Sequence, residues 1–110
     1  MADARIVLTS VGSRETAEEL AGKLVERRLA ACVNIVGPIH SIYRWKGAIE
    51  RAQEYLLIIK TTAERASELA AAFGELHGYE VPEQVELAIE KGSSAYLGWL
   101  EAQVGRESDQ

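Results

Sequence analysis

Residues 54–61, Glu-Tyr-Leu-Leu-Ile-Ile-Lys-Thr, give the strongest strand signal in the chain, and they are apolar on both sides. Successive side chains of a strand point to opposite faces. Tyr55, Leu57 and Ile59 therefore share one parity, while Leu56 and Ile58 share the other. A sheet covered on one side needs only one apolar parity, so a second cover is implied. Tyr43 and Trp45 against Ile42 repeat the pattern. So does a terminal helix with Leu97, Leu100 and Val104 on one side and Tyr96 and Trp99 on another. At about 25 cal/mol per Å² of apolar area, leaving such faces wet forgoes several kcal/mol, and exposed patches of this kind mark interaction sites.

The rest of the chain supplies the elements around that strand. Arg5–Thr9 reads as a first strand, followed by a helix capped by Ser13 with its stripe on Ala17, Leu20, Ala21, Leu24 and Val25. Residues 31–36 and 39–45 form a second strand interrupted at Gly37-Pro38, which predicts a bulge or bend in an edge strand. A polar hairpin connection is predicted from Lys46-Gly47 to about Gln53. Thr61 and Glu64 stand at capping-box spacing before a second helix striped by Ala66, Leu69, Ala70, Phe73 and Leu76, which Gly78 closes as a left-handed cap. Val85, Leu87 and Ile89 alternate with polar residues as a fourth strand with one buried face. Ser93 or Ser94 opens the short terminal helix, and residues 105–110 read as a disordered tail.

Strand, helix, strand, strand, helix, strand is the split βαβ, ferredoxin-like order of an α+β fold, with both helices on one face of an antiparallel sheet. The bare face is then expected to be covered by further copies of the chain in a closed symmetric ring. The alternative is a monomer whose terminal helix folds across the sheet, but roughly ten residues of helix are too short to cover a sheet face.

Composition narrows the function. The chain has 110 residues, the length of one domain, and no apolar run long enough to span a bilayer. Its amino terminus lacks the layout of a secretion signal, which together with the lone Cys32 suits a soluble protein of the cytoplasm. A formal charge of −5 with scattered Lys and Arg argues against nucleic-acid binding.

Chemistry-bearing residues are few. There is no Gly-x-Ser-x-Gly elbow, no glycine-rich phosphate loop and no paired base and nucleophile, so a non-enzymatic protein without an organic cofactor is expected. The soft metal ligands are His40, His77 and Cys32, with no metal spacing among them; a site would have to form between subunits, drawing His77 or Cys32 towards Glu83 of a neighbour. His77 also reads as the end of the second helix, in phase with Phe73 and, if protonated, complementary to the helix dipole. Cys32 reads equally as a small buried strand residue, and His40 as a polar one.

The fragments "LAACVNI" at 29–35, "SIYRWKG" at 41–47, Glu54, "LIIKT" at 57–61, "HGYEVPE" at 77–83 and "YLGWL" at 96–100 together resemble the CutA family of divalent-cation tolerance proteins. The resemblance implies a ferredoxin-like homotrimer, a role in tolerance to copper and other divalent cations, copper binding, and an architecture similar to PII-type signalling trimers. By position it places the family's shared polar and aromatic set on Cys32, Trp45, Lys60, His77, Tyr79, Pro82, Glu83, Tyr96 and Trp99, around clefts between subunits. There His77, Glu83 and Cys32 would serve a metal such as divalent copper, and Trp45, Lys60, Tyr79, Tyr96 and Trp99 would line a ligand cleft. The alternative is a PII-like adaptor that binds a small effector in the cleft and a protein partner through the hairpin near residues 46–53.

Overall fold

A computed structural model describes residues 3–105 of the chain. The elements are β1 (Ala4–Val11), α1 (Arg14–Glu26), β2 (Cys32–Trp45), β3 (Ala48–Thr62), α2 (Ala63–Leu76), β4 (Val85–Ala88) and α3 (Ser94–Val104). The sheet runs β2-β3-β1-β4 with every neighbouring pair antiparallel. Each βαβ unit is thus split by a strand of the other, which is the ferredoxin-like topology expected. The predicted tail at 105–110 lies, beyond Gly105, outside the described residues.

Register decides which side chains meet the helices. Val7 pairs with Ile59 and Thr9 with Leu57, so these four lie on one face, and they are fully buried against the stripes of α1 and α2. Leu20 and Leu24 of α1 and Ala66, Leu69 and Phe73 of α2 complete that core. Ile6 and Leu8 pair with Lys60 and Ile58 on one side and with Leu87 and Val85 on the other. They belong to the opposite face, where Val36, Val85 and Leu87 remain exposed. Within the chain α3 leaves that face open. Leu100 and Val104 dock on Ala31, Arg65 Nε donates to the Val104 carbonyl at 2.7 Å, and Arg28 Nη1 donates to the Gln103 carbonyl at 3.1 Å.

Ser13 caps α1 by accepting from the Thr16 N–H at 3.1 Å, and Ser93 caps α3. The bulge falls between Val36 and Ile39 on the edge strand β2, around a cis Gly37-Pro38 bond. Gly37 is required there because a Cβ would lie 2.5 Å from the Tyr55 ring.

Several local expectations are corrected. Residues 48–53 are strand, not connection: Lys46 and Gly47, at φ 51° and 82°, make a two-residue turn, and the ribbon pairs down to Trp45 and Ala48. Such a left-handed pair matches the twist of its strands. Thr62 rather than Thr61 caps α2; Thr61 is buried and its hydroxyl donates to the Leu29 carbonyl at 2.7 Å. Val25 and Ala70 fall outside the buried stripes, and Arg65 and Ala72 fall inside. Gly78 is not a left-handed cap, because α2 ends at His77 in extended conformation. The left-handed cap belongs instead to α1, where Arg28 at φ 58° lets the Leu29 N–H reach the Leu24 carbonyl at 2.9 Å. β4 is only four residues long and exposed on both faces, so its predicted buried face is not buried within the chain.

Candidate functional site

Where α2 stops, the chain turns inward and places His77 between Phe73 and β1. The imidazole packs edge-on against Phe73 at 5.7 Å and against Tyr79 at 5.0 Å. Its Nδ1 accepts the Tyr79 backbone N–H at 3.2 Å, so the ring proton sits on Nε2. Nε2 donates to the Ser10 carbonyl at 3.0 Å, with Thr9 Oγ1 at 3.1 Å. Burial pushes the His77 pKa below its ordinary value, opposed by the Ser10 carbonyl and the charge of Glu54. The ring is therefore neutral near pH 7, and the protonated, dipole-complementing role expected from the sequence is not the one it plays. Both nitrogens are occupied, so a metal on either would displace a hydrogen bond.

The same turn delivers Tyr79 to the opposite sheet face. Its hydroxyl donates to Glu54 Oε2 at 2.7 Å, and Ser10 Oγ approaches the same oxygen at 3.5 Å. Glu54 is buried, a costly place for a carboxylate without such donors. Burial first, then the bond to Glu54, drives the Tyr79 pKa well above its ordinary value, so the phenol stays protonated and donating. Gly12 lies close by, where a Cβ would sit 3.4 Å from the Tyr79 hydroxyl.

This pair forms the floor of a cavity of about 750 Å³ between the β2–β3 ribbon and the loop that precedes β4. Tyr43 and Trp45 wall one side, and Glu80 and Glu83 stand on the other. Of the residues singled out in the sequence, the structure brings Trp45, Tyr79 and Glu83 together here, with His77 directly behind Tyr79.

The remainder lie elsewhere. Lys60 is six residues along β3 from Glu54, about 20 Å at the strand rise of roughly 3.3 Å per residue. Lys60 faces Cys32 across the β2–β3 ladder and hydrogen-bonds Asn34 Oδ1, which also lies 3.9 Å from the Cys32 thiol. Cys32 is only partly buried, and His40 is an exposed strand residue. Tyr96 and Trp99, with ring centroids 5.6 Å apart, project from the exposed side of α3, whose other side covers Ala31 beside Cys32. Pro82 lies in the loop before β4. Among the described residues no group of three His, Cys, Asp or Glu stands close enough to hold a metal ion.

Sequence reasoning missed Thr9, Ser10, Tyr43 and Glu54 as members of the site, Glu54 being marked only as part of the family resemblance. The available signal was the polar pair Thr9-Ser10 following the apolar run Ile6–Leu8 of β1, opposite a strand in which Glu54 directly precedes the apolar run Tyr55–Ile59.

No helix among the described residues is long and apolar enough to cross a membrane. Comparison with known proteins extends the geometric picture. Residues 5–103 match the family model described as CutA1 divalent ion tolerance protein. The divalent-cation tolerance protein CutA of Thermus thermophilus is 48% identical over 100 residues, which cover 91% of this chain and 97% of that protein. Its solved structure superposes with a TM-score of 0.90, covering 93% of this chain and 99% of that one. Arabidopsis thaliana "Protein CutA, chloroplastic" is 43% identical over 86% of this chain, which spans about half (52%) of that longer relative. The structure titled periplasmic divalent cation tolerance protein CutA from Archaeoglobus fulgidus is 36% identical, with a TM-score of 0.89 over 93% of this chain and 99% of its own. Fold, length and sequence agree, and the chain belongs to the CutA1 divalent ion tolerance protein family.

Proposed function

We propose that this protein is a non-enzymatic homotrimer of the cytoplasm that serves divalent metal tolerance, binding copper or a small ligand in clefts between its subunits. The observation that carries this reading is the division of the candidate set. Trp45, Tyr79 and Glu83 line one cavity, Cys32 and Lys60 face each other on the β2–β3 ladder about 20 Å along the sheet from it, and Tyr96 and Trp99 project from α3. A second copy is what can bring one group against the other. The open sheet face, with Val36, Val85 and Leu87 exposed, supplies apolar surface for such an assembly. Glu83 and Cys32 are the accessible metal ligands, and the thiolate of Cys32 is a soft ligand suited to copper. His77 joins them only by releasing the Tyr79 N–H. The free thiol of Cys32 suits a reducing compartment.

Calorimetric titration with copper(II), run beside light scattering, tests this. The expected result is a particle of three chains whose copper affinity falls by at least about tenfold in Glu83→Ala and Cys32→Ser. A monomer, or binding unaltered in both variants, overturns it. The second reading, a PII-like adaptor, is favoured by the exposed Ile42 and Ile49 of the ribbon. It predicts a protein partner that is retained by the full chain and lost when residues 43–50 are replaced by a short turn.

A further inference from the structure

The β2–β3 ribbon has two unlike faces beyond the body of the sheet. Tyr43, Trp45 and Glu50 share the side that continues the open sheet face, where Glu54 lies. On the other side stand His40, Ile42 and Arg44 of β2, with Gln53, Arg51 and Ile49 directly opposite them on β3. These β3 positions have the parity of Tyr55, Leu57 and Ile59, which pack into the core beneath α1 and α2 further along the strand. The helices stop short of this stretch, so all six side chains are exposed. Closing the open sheet face, on the opposite side, does not cover them.

Two features set the chemistry of what fits there. Ile42 and Ile49 are diagonal neighbours across the ladder, 61% and 58% exposed, more than any other large apolar side chain in the described strands. Arg44 and Arg51 form the other diagonal, a separation of roughly 7–8 Å for such positions. Among the described residues neither arginine forms an ion pair, and no carboxylate shares their face. The whole chain carries a charge of −5, so this cationic patch is not part of a general basic surface, and negative charge from outside complements it. A phosphate group would meet the arginines and leave both isoleucines wet. A bilayer would meet the ribbon at its tip, which is Lys46-Gly47, whereas the rings of Tyr43 and Trp45 that suit a lipid interface lie on the other face.

We propose that this outer face of the ribbon docks an acidic, aliphatic segment of a partner protein, its carboxylates on Arg44 and Arg51 and its aliphatic side chains against Ile42 and Ile49. The proposal rests on the adaptor reading above and names the chemistry of the partner.

The test is fluorescence anisotropy of the full chain at neutral pH and about 0.05 M salt, where exposed charges are weakly screened. The probe is a labelled peptide repeating isoleucine-serine-glutamate-serine, which puts isoleucine and glutamate on one side of an extended chain. It binds at least about tenfold more tightly than the same peptide with lysine for glutamate. Arg44→Glu and Arg51→Glu each weaken binding about tenfold, and Ile49→Ser about threefold. Lys91→Glu, the same charge change at an exposed position off the ribbon, leaves it unchanged, and circular dichroism establishes that each variant folds. Equal binding of the two peptides, no binding of either, or binding indifferent to both arginine variants overturns the proposal. So does a changed particle mass of Arg44→Glu in light scattering, which makes the face an interface between copies, or Arg44-dependent sedimentation with phosphatidylserine vesicles without peptide binding, which makes it a lipid surface. A protein partner that is lost with residues 43–50 but held equally by Arg44→Glu removes this inference and leaves the adaptor reading in place.

Discussion

Burial favours the neutral form of His77, and because its Nδ1 also accepts the Tyr79 N–H, pH is coupled to the shape of the site. Its folded-state pKa lies below the ordinary value of 6.5 because the ring is buried. As pH falls the unfolded chain takes up this proton first, so the contribution to stability is complete above about 6.5 and is lost as pH drops from there through the folded-state pKa. The urea midpoint is expected to fall between about pH 7 and about pH 5, and to fall less in His77→Gln, whose side chain does not titrate. Protonation also puts a hydrogen on Nδ1, which can then no longer accept the Tyr79 N–H. One bond further out, Tyr79→Phe removes the phenol donor of a buried carboxylate. A loss of roughly 1.5 kcal/mol is expected in urea denaturation, near the low end for bonds to charged groups because Tyr79 itself is partly exposed. His77, Tyr79 and Glu83 were legible in the sequence as a crowded turn. Their partners were not, because His77 meets Thr9 across 68 positions and Tyr79 meets Glu54 across 25. Local pattern carries no information about such pairings, which register and the helix end decide.

Among the elements, those with one wet and one dry face were readable, and those without were not. Ala17, Leu20 and Leu24 of α1 recur at helical spacing because a core lies on one side only. Residues 48–53 run beyond the helices, where both faces of the ribbon meet water, so no apolar alternation marks them as strand. The helix ends were misread for a related reason. Gly78 sits at a preferred cap position, but the pull of His77 towards Ser10 and Thr9 ends α2 in extended backbone first. At the bulge the geometry permits a sharp prediction. Gly37→Ala pushes a methyl into the Tyr55 ring beside a backbone carbonyl 3.1 Å away, and is expected to cost about 1–3 kcal/mol by thermal or urea unfolding. Arg65→Met breaks the tie between α2 and the α3 terminus while keeping an apolar stem. Faster amide exchange confined to α3 is expected, since Leu100, Val104 and the Arg28–Gln103 hydrogen bond then hold it without Arg65.

At the scale of the molecule, the two-faced character of β3 proved the most informative line of sequence. Leu57 and Ile59 vanish beneath the helices, whereas Leu56 and Ile58 lie on the face that this chain leaves open. If further copies close that face, the melting temperature rises with protein concentration, as mass action requires; a melting temperature independent of concentration, together with a one-chain mass, argues for a monomer. The molecule is also long for its size, with extents of 48 × 27 × 21 Å. Much of that length is the arm formed by residues 39–54, whose rungs from Ile39–Glu54 to Trp45–Ala48 have no third strand, since β1 pairing ends at Val11–Tyr55. A two-stranded arm is marginal in water on its own. It also displays Arg44, Lys46 and Arg51, three exposed bonds that trypsin recognises. A solitary molecule should therefore be nicked first at its arm, while molecules that clasp one another should resist, making a timed digestion over a dilution series a readout of embrace and release.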